Sequence, residues 1–269
     1  MKPFKFLAVD LDGTLLRNDS SISDFSADTL IHAQKNGLKV AICTGRPTDG
    51  ARHIAQRIRL HEFGGYIVGY NGGEIIECAT GNVVRDLILP DGVLPQVVEF
   101  ARQMNAEIMT FCNRHIISTS DSHPVIIRSS RRNRMDIMTT DNWRKEVEGL
   151  KLHKCMFVGE PEILRANERN VKDMFDGVLS AFCSEPHFLE LNPLGVNKGD
   201  GLRWLLNYAD VDPGSVIAFG DTPSDTPMIR MAGKGVAMGN APQAVKDVAD
   251  AVALSNEEDG VAQMLQSMY

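Results

Sequence analysis

The stretch FLAVDLDGTLL, Phe6–Leu16, joins a short apolar run to two aspartates that are separated by one residue. The run Phe6–Val9 predicts a buried strand, and Asp10 and Asp12 follow at its carboxyl end. Residues i and i+2 of an extended chain point to the same side, so both carboxylates can face one small volume. Two carboxylates this close repel each other and are unfavourable beside apolar surface unless a cation pairs with them.

A divalent cation would offset this repulsion. Mg²⁺ in proteins usually binds one or two carboxylates together with phosphate oxygens of a substrate. The alternative is a solvated loop with two surface aspartates and a turn at Gly13, which is the usual meaning of an isolated Asp-x-Asp. The buried strand before the pair and the Gly-Thr-Leu sequence after it favour the metal site.

Strand-like and helix-like patterns alternate at both ends of the chain. In the N-terminal part, the apolar runs predict strands at Phe4–Asp10, Lys39–Cys43 and Tyr66–Val68, and a helix begins at Ser23 or Asp24. The C-terminal part repeats the alternation in helices and strands at Gly201–Tyr208, Val216–Phe219, Ser224–Met231, Gly235–Met238, Gln243–Val248, Ala251–Leu254 and Gly260–Met268. This order predicts an α/β fold, a Rossmann-like parallel sheet with helices on both faces.

The middle of the chain has a different pattern. Apolar residues between 94 and 101 follow the spacing of one helix face, and the runs Ala106–Phe111 and His115–Ser118 predict a hairpin. We therefore expect residues 1–84 and 188–269 to form the core. Residues 85–187 are expected to form an inserted α+β cap domain.

Composition and charge exclude several classes of protein. The 269 residues carry a formal net charge of −7, which gives no sign of a basic surface for nucleic acid or membranes. The apolar runs are too short to span a bilayer, and charged residues interrupt the N-terminus before the apolar core of a signal peptide could form. The five scattered cysteines contain no Cys-x-x-Cys pair, which favours a reduced, cytoplasmic protein.

Three further motifs lie where a predicted strand gives way to a helix. In AICTGRP, Thr44 and Gly45 can point a hydroxyl and backbone amides at an anion, and Arg46 adds a charge that can bind phosphate in a fork. In GVNKGDGL, Lys198 precedes a helix, where a lysine is more often a solvated surface charge.

The third of these motifs, AFGDTPSDTPM, places Asp221 and Asp225 after another predicted strand. Ligands of open α/β sheets bind beyond the carboxyl ends of the strands. Each of the motifs is weak by itself. Their shared position at strand ends predicts one site that combines them with the first pair of aspartates.

The motifs DLDGTLL, CTGR, NKG and GDTPSD resemble, in order, the four motifs of the haloacid dehalogenase (HAD) superfamily. The insertion between the second and third motifs, with YNGG at Tyr70–Gly73 and GVAMGNA at Gly235–Ala241, resembles the Cof-type sugar-phosphatase branch, which has a type IIB cap of the C2 class. The resemblance covers both ends of the chain, and the cap is matched by position and length. It implies a Mg²⁺-dependent phosphatase that hydrolyses small phosphate monoesters, sugar phosphates first.

The resemblance also implies catalytic roles. Asp10 becomes the nucleophile that forms an aspartyl-phosphate, and Asp12 protonates the leaving oxygen and then activates water. Thr44 binds the transferring phosphoryl group, and Lys198 stabilises its charge. Phosphoryl transfer requires positioning and charge neutralisation above all, and these residue types provide both.

The implied metal ligands are Asp10, the main-chain oxygen of Asp12, and Asp221, with Asp225 behind them in a supporting position. The implied phosphate pocket includes Gly45, Arg46, Asn71 and Ser224 in addition to the catalytic residues already named. The family's fourth motif usually ends in Asn-Asp, and Ser224 stands in the asparagine's place. A serine hydroxyl can donate one hydrogen bond but reaches less far than an amide.

Other functions use similar residues. A receiver-like signalling domain also forms an aspartyl-phosphate beside Mg²⁺, but its nucleophile ends a later strand than its acidic pair, and it lacks such an insertion. A phosphomutase of the same superfamily and a phosphate-binding protein with a decayed site are further alternatives. The sequence leaves open the oligomeric state and the particular phosphorylated metabolite.

Overall fold

The computed structural model describes residues 4–266 and residue 268, and these form strands and helices in the predicted alternation. The strands are β1 (Phe6–Val9), β2 (Lys39–Cys43), β3 (Tyr66–Gly69), β4 (Glu74–Glu77), β5 (Val83–Asp86), β6 (Glu107–Cys112), β7 (His115–Ser118), β8 (Asp136–Thr139), β9 (Cys155–Val158), β10 (Leu179–Glu185), β11 (Phe188–Pro193), β12 (Val216–Gly220), β13 (Lys234–Ala237) and β14 (Ala251–Val252). The α-helices are α1 (Asp24–Lys35), α2 (Thr48–Arg57), α3 (Leu60–Phe63), α4 (Leu94–Met104), α5 (Pro124–Asn133), α6 (Trp143–Val147), α7 (Pro161–Met174), α8 (Lys198–Tyr208), α9 (Thr226–Met231), α10 (Gln243–Lys246) and α11 (Gly260–Gln266).

The chain divides into two compact units. One, the core unit, contains the residues up to Arg85 and from Asn197 onward, and the other, the cap unit, is Asp86–Val196. The second junction lies nine residues later than the predicted boundary between 187 and 188. The reason is that β11 pairs with β10 on one side and β9 on the other, which makes it an interior strand of the cap unit's sheet.

The core unit contains one eight-stranded sheet in the order β14-β13-β12-β1-β2-β3-β4-β5. The strands from β14 to β3 are parallel, and β4 runs antiparallel to β3. Side chains alternate along β1, so Leu7 and Val9 pack against one layer and Phe6 and Ala8 against the other. The first layer contains α1, α2 and α11, and the second contains α8 and α9. This confirms the predicted Rossmann-like core.

The strand order places the predicted motifs side by side. Strand β1 lies between β2 and β12, with Val9 opposite Ile42 on one side and Phe219 on the other. Because all three strands are parallel, the residues after them meet at the same edge of the sheet. That edge holds the first, second and fourth motifs.

The cap unit contains a six-stranded sheet in the order β10-β11-β9-β6-β7-β8. The predicted hairpin is present as β6 and β7, which are antiparallel and joined by Asn113 and Arg114 with positive φ. Helices α4, α6 and α7 pack on one face of the sheet through a buried cluster that includes Val97, Trp143 and Leu164. Within residues 4–266 and 268, no helix is both long enough and apolar enough to cross a bilayer.

Candidate active site

The loop after β1 is a tight turn that brings Asp10, Asp12 and Thr14 to the sheet edge. Leu16 N donates to Leu11 O at 2.8 Å, and Gly13 adopts a φ of +77°. A side chain at position 13 would be strained at this φ, and its Cβ would overlap the Asp221 carboxylate. The glycine therefore permits the first motif to approach the fourth.

Lys198 lies at the start of α8 and joins two of the aspartates. Its Nζ donates to Asp10 Oδ1 at 2.7 Å and to Asp225 Oδ1 at 2.6 Å. All three side chains are at most 5% exposed. A surface role for Lys198 is therefore wrong, because its charge is buried and its only protein partners of opposite charge in the described chain are these two acids.

Burial and charge act in opposite directions on this group of side chains. Burial raises the pKa of Asp10 well above its ordinary value, and the positive charge of Lys198 reduces that rise. Burial alone would lower the pKa of Lys198, but the charges of Asp10 and Asp225 outweigh it and raise the pKa. Lys198 therefore stays charged at all physiological pH values. The site contains more negative charge than this one lysine can neutralise.

Asp225 uses both carboxylate oxygens within the protein. Oδ1 accepts from Lys198, and Oδ2 accepts from the backbone N–H of Asp221 at 3.0 Å and from both the N–H and the hydroxyl of Thr222 at 2.9 Å. It is fully buried. These contacts suit a residue that positions Asp221 and Lys198 from behind.

Asp10, Asp221 and Asp225 form an acidic cluster that could hold a metal ion, with ligand atoms within 4.8 Å of one another. Burial raises the pKa of Asp221 to about 6, against a hydrogen bond from Thr14 that lowers it, and Asp225 adds to the rise. The Thr14 hydroxyl occupies Asp221 Oδ1 at 2.9 Å. The second oxygens of Asp10 and Asp221 are then the carboxylate atoms best placed for a cation, and a set of oxygen donors fits a hard divalent ion.

Arg46 holds the other aspartate of the first motif. Its Nε donates to Asp12 Oδ2 at 2.7 Å and its Nη2 to Asp12 Oδ1 at 2.5 Å, so that the guanidinium and the carboxylate form a two-pronged pair. The Arg46 side chain is 3% exposed, whereas that of Asp12 is 35% exposed. The structure thus places Arg46 on Asp12, a contact that the sequence analysis did not predict.

Thr44, Gly45 and Asn71 lie together beyond β2. The buried Thr44 Oγ1 accepts from Arg46 N at 3.2 Å, and Asn71 N donates to Thr44 O at 3.0 Å. Asn71 has a φ of 57°, and its Oδ1 lies 3.0 Å from where a Cβ on Gly45 would stand. The first and second motifs are connected by the Arg46–Asp12 pair.

Ser224 stands slightly apart from this group. It is exposed, and its hydroxyl lies 2.8 Å from Thr222 Oγ1, which itself donates to Asp225. The hydroxyl is therefore connected to the acidic cluster through Thr222.

Three residues at the site were missed by sequence reasoning. Thr14 binds Asp221, Thr222 caps the turn that orients Asp225, and Asn240 Nδ2 donates to Gly13 O at 2.8 Å. Thr14 belongs to the first motif and Asn240 to the GVAMGNA motif. Their contacts join residues more than 200 positions apart, and no local pattern predicts them.

The family model for haloacid dehalogenase-like hydrolases matches residues 7–265. The chain belongs to this family. Within the family, its fold is that of the Cof-type branch with a type IIB cap, and it is a hydrolase of phosphoric monoesters.

Individual relatives agree with this placement. The chain is 30% identical to the 5-amino-6-(5-phospho-D-ribitylamino)uracil phosphatase YitU of Bacillus subtilis, over 100% of this chain and 98% of that protein. A crystal structure of a haloacid dehalogenase-like hydrolase from Bacteroides thetaiotaomicron is similar with a TM-score of 0.95 and 37% identity, over 99% of this chain and 100% of that one. The HAD subclass IIB sugar phosphatase BT4131 shares the fold, with a TM-score of 0.81 and 20% identity over 98% of both chains.

Proposed function

We propose that this protein is a Mg²⁺-dependent phosphatase of small phosphate monoesters, sugar phosphates first, and that it works through an aspartyl-phosphate on Asp10. The observation that carries the proposal is the buried group in which Lys198 bonds to both Asp10 and Asp225 beside Asp221. This arrangement fixes the Asp10 carboxylate, places the positive charge of Lys198 against it, and leaves net negative charge that a metal ion would neutralise.

In the first step, a carboxylate oxygen of Asp10 attacks phosphorus and the bond from phosphorus to the ester oxygen breaks. Asp12 gives its proton to that oxygen, which leaves as an alcohol. In the second step, Asp12 takes a proton from water, the water oxygen attacks phosphorus, and phosphate leaves as Asp10 is restored.

The metal would be held by Asp10, the main-chain oxygen of Asp12, and Asp221, with Asp225 in support. When bound, Mg²⁺ supplies positive charge that keeps the aspartates ionised and neutralises phosphate oxygens. Lys198 contributes a second, permanent positive charge at Asp10.

Arg46 orients Asp12 in this account. Its two hydrogen bonds to the ionised Asp12 fix the plane of the carboxylate for its role as the base of the second step. In the first step, one Asp12 oxygen carries the proton while the other keeps its bond to Arg46. Thr44 and Lys198 bind the transferring phosphoryl group, and Gly45, Asn71, Ser224 and Arg46 line the phosphate pocket around it.

The substrate is proposed to be a small phosphorylated metabolite chosen by the cap unit. YitU, whose name describes a phosphatase of a ribitylamino-uracil phosphate, supports an organic part that carries hydroxyl groups. The free cysteines Cys43, Cys78, Cys112, Cys155 and Cys183 support a reduced, cytoplasmic setting.

Release of inorganic phosphate from a panel of phosphate esters tests the proposal. We expect turnover of sugar and polyol monophosphates that stops after chelator treatment and returns when Mg²⁺ is added back. Turnover that is unchanged by the chelator would contradict the mechanism. Transfer of phosphate to a second hydroxyl of the sugar, in place of release, would identify a phosphomutase instead.

A further inference from the structure

The loops that follow β13 and β14 lie at the same edge of the core sheet as the candidate site. Strand β13 is parallel to β12, and β14 is parallel to β13, so their carboxyl ends point the same way as that of β1. A Cβ at Gly239 would stand 2.9 Å from the backbone nitrogen of Ser255, so only glycine lets the two loops pack this closely. The close approach brings together one asparagine from each loop, Asn240 and Asn256.

These two residues, which we call the asparagine pair, bind to each other and to the turn after β1. Asn256 N donates to Asn240 Oδ1 at 3.1 Å. Asn240 Nδ2 donates to Gly13 O at 2.8 Å. Asn256 Nδ2 donates to Leu16 O at 2.9 Å. Two main-chain carbonyl groups of one turn, three residues apart, therefore accept hydrogen bonds from one linked pair of side chains.

The pair combines a buried residue with an exposed one. Asn256 is 3% exposed, and its amide nitrogen also donates to Asn18 Oδ1 at 3.2 Å, so both of its amide hydrogens are used within the protein. Asn240 is exposed, and its amide is held at the oxygen by Asn256 N and at the nitrogen by Gly13 O. Bonds at both ends fix the direction of the Asn240 amide. Replacing Asn240 therefore removes a contact with the turn without opening the interior.

The turn held by the pair carries groups of the proposed reaction. Asp12 supplies the proposed acid and base and a proposed main-chain metal ligand, and Thr14 donates to Asp221 Oδ1 at 2.9 Å. Gly13, whose carbonyl accepts from Asn240, lies between Asp12 and Thr14 in the chain. A hydrogen bond to this carbonyl fixes the peptide plane that joins Gly13 to Thr14, so it restrains the residues on both sides.

We propose that Asn240 and Asn256 are positioning residues that hold the turn of the first motif in the geometry that Mg²⁺ binding requires, an inference that rests on the proposed function. Within the described residues, their side-chain amides donate to the turn and to Asn18, and to none of the carboxylates of the site. They therefore act through the turn. A contact that served stability alone would change the free energy of unfolding and leave the Mg²⁺ affinity of the folded protein as it was.

Titration of Mg²⁺ into the folded protein without substrate, by isothermal titration calorimetry, tests the proposal. Asn240→Ala should weaken Mg²⁺ binding by about 3-fold to 10-fold, as expected from losing one hydrogen bond that orients the turn. At saturating Mg²⁺, kcat for the phosphate ester that the wild type hydrolyses fastest should fall by a similar factor. KM should stay within about twofold, because Asp12 acts on bond breaking more than on binding.

Asn36→Ala is the matched control. Asn36 is another exposed asparagine of the core unit, and its Nδ2 also donates to a main-chain carbonyl, His32 O at 3.0 Å. It precedes β2, which begins at Lys39, so it lies at the opposite edge of the sheet from the candidate site. Asn36→Ala should leave both Mg²⁺ affinity and kcat unchanged.

Thr14→Val tests whether Asn240 acts through the turn. Loss of the Thr14 hydroxyl removes the bond to Asp221 and should itself weaken Mg²⁺ binding. Residues that act on one shared contact have non-additive effects. The double variant of Thr14→Val with Asn240→Ala should therefore lose less affinity than the product of the two single fold-changes. Fully additive effects would contradict action through the turn.

The remaining outcomes separate this inference from the proposed function. Wild-type protein that binds no Mg²⁺ and hydrolyses no phosphate ester would overturn both. A wild type that does both, with an Mg²⁺ affinity that Asn240→Ala leaves unchanged, would overturn only the positioning role and make the asparagine pair a structural link between loops. An equal loss of affinity in Asn36→Ala would also overturn that role, because the effect would then come from general loosening of the core unit.

Discussion

At the scale of single residues, Lys198 is the centre of the site. Its side chain is buried, at 3% exposed. Within the described residues, its positive charge is paired with two acids, Asp10 and Asp225. Removing one member of a buried charged group leaves the others unpaired in a medium that solvates charge poorly. The residue therefore serves both the fold and the reaction.

Lys198→Met should lower the free energy of unfolding by about 3–5 kcal/mol in metal-free protein, measured by urea denaturation. Turnover should be lost as well. Lys151→Met is the control, because Lys151 forms an exposed pair with Asp86 and should contribute at most about 1 kcal/mol. Equal destabilisation by the two changes would contradict a central role for Lys198.

Arg46→Lys tests the two-pronged pair with Asp12. A lysine keeps the charge but cannot form two parallel hydrogen bonds to one carboxylate. We expect kcat to fall by about 10-fold to 100-fold with little change in KM, since Asp12 acts on bond breaking and not on binding. The exposed Arg52→Lys on α2 is the control and should leave kcat unchanged. A rise in KM with kcat unchanged would indicate that Arg46 acts only in the phosphate pocket and does not orient Asp12.

At the scale of elements, the tight turn after β1 brings the first and fourth motifs into contact. Gly13→Ala should weaken Mg²⁺ binding, because the new Cβ overlaps Asp221. Gly81→Ala is a matched control, since Gly81 has a φ of +76° and nothing within 4 Å of the added atom. Both substitutions introduce the backbone strain of a positive φ, so a difference in Mg²⁺ affinity between the two variants, measured by isothermal titration calorimetry, reports the overlap with Asp221. Equal Mg²⁺ affinities in the two variants would contradict a role for this overlap in metal binding.

The elements also show what sequence reasoning could reach. Short apolar runs before Asp10, Thr44 and Asp221 predicted three strands with one site at their ends, because burial on both faces leaves few other interpretations. The structure shows that these strands are adjacent. The position of β11 in the cap sheet was not predictable, since strand pairing over long separations has no local signal. The pairing of Arg46 with Asp12 and the bond from Asn240 to Gly13 depend on packing between distant segments in the same way.

At the scale of the whole molecule, the acidic cluster links stability to pH and metal. The pKa values of Asp10 and Asp221 are raised in the folded protein, the latter to about 6 from 3.8. At pH values between about 4 and 6, these carboxyl groups bind more protons in the folded protein than in the unfolded chain. In the metal-free protein, the contribution of these carboxyl groups to the free energy of unfolding therefore falls as pH rises from about 4 to 6.

Mg²⁺ should consequently raise the melting temperature more at pH 7.5 than at pH 5, because protons compete with the metal for the same carboxylates. Differential scanning calorimetry with and without Mg²⁺ measures this difference. Asp221→Asn should abolish most of the shift, whereas the exposed Asp176→Asn should preserve it. A shift of equal size at both pH values would contradict a metal site built on Asp10 and Asp221.

The central claim is that Asp10, and not Asp12, carries the phosphoryl group. Intact-mass measurement after rapid mixing with p-nitrophenyl phosphate tests it most directly, because a good leaving group needs little protonation in the first step. Asp12→Asn retains the nucleophile but lacks the base for the second step, so turnover should fall by about 10²–10⁴-fold and a phosphate adduct should accumulate on Asp10. Asp10→Asn should show neither adduct nor turnover. An adduct on the Asp10→Asn protein, mapped to Asp12, would contradict the account.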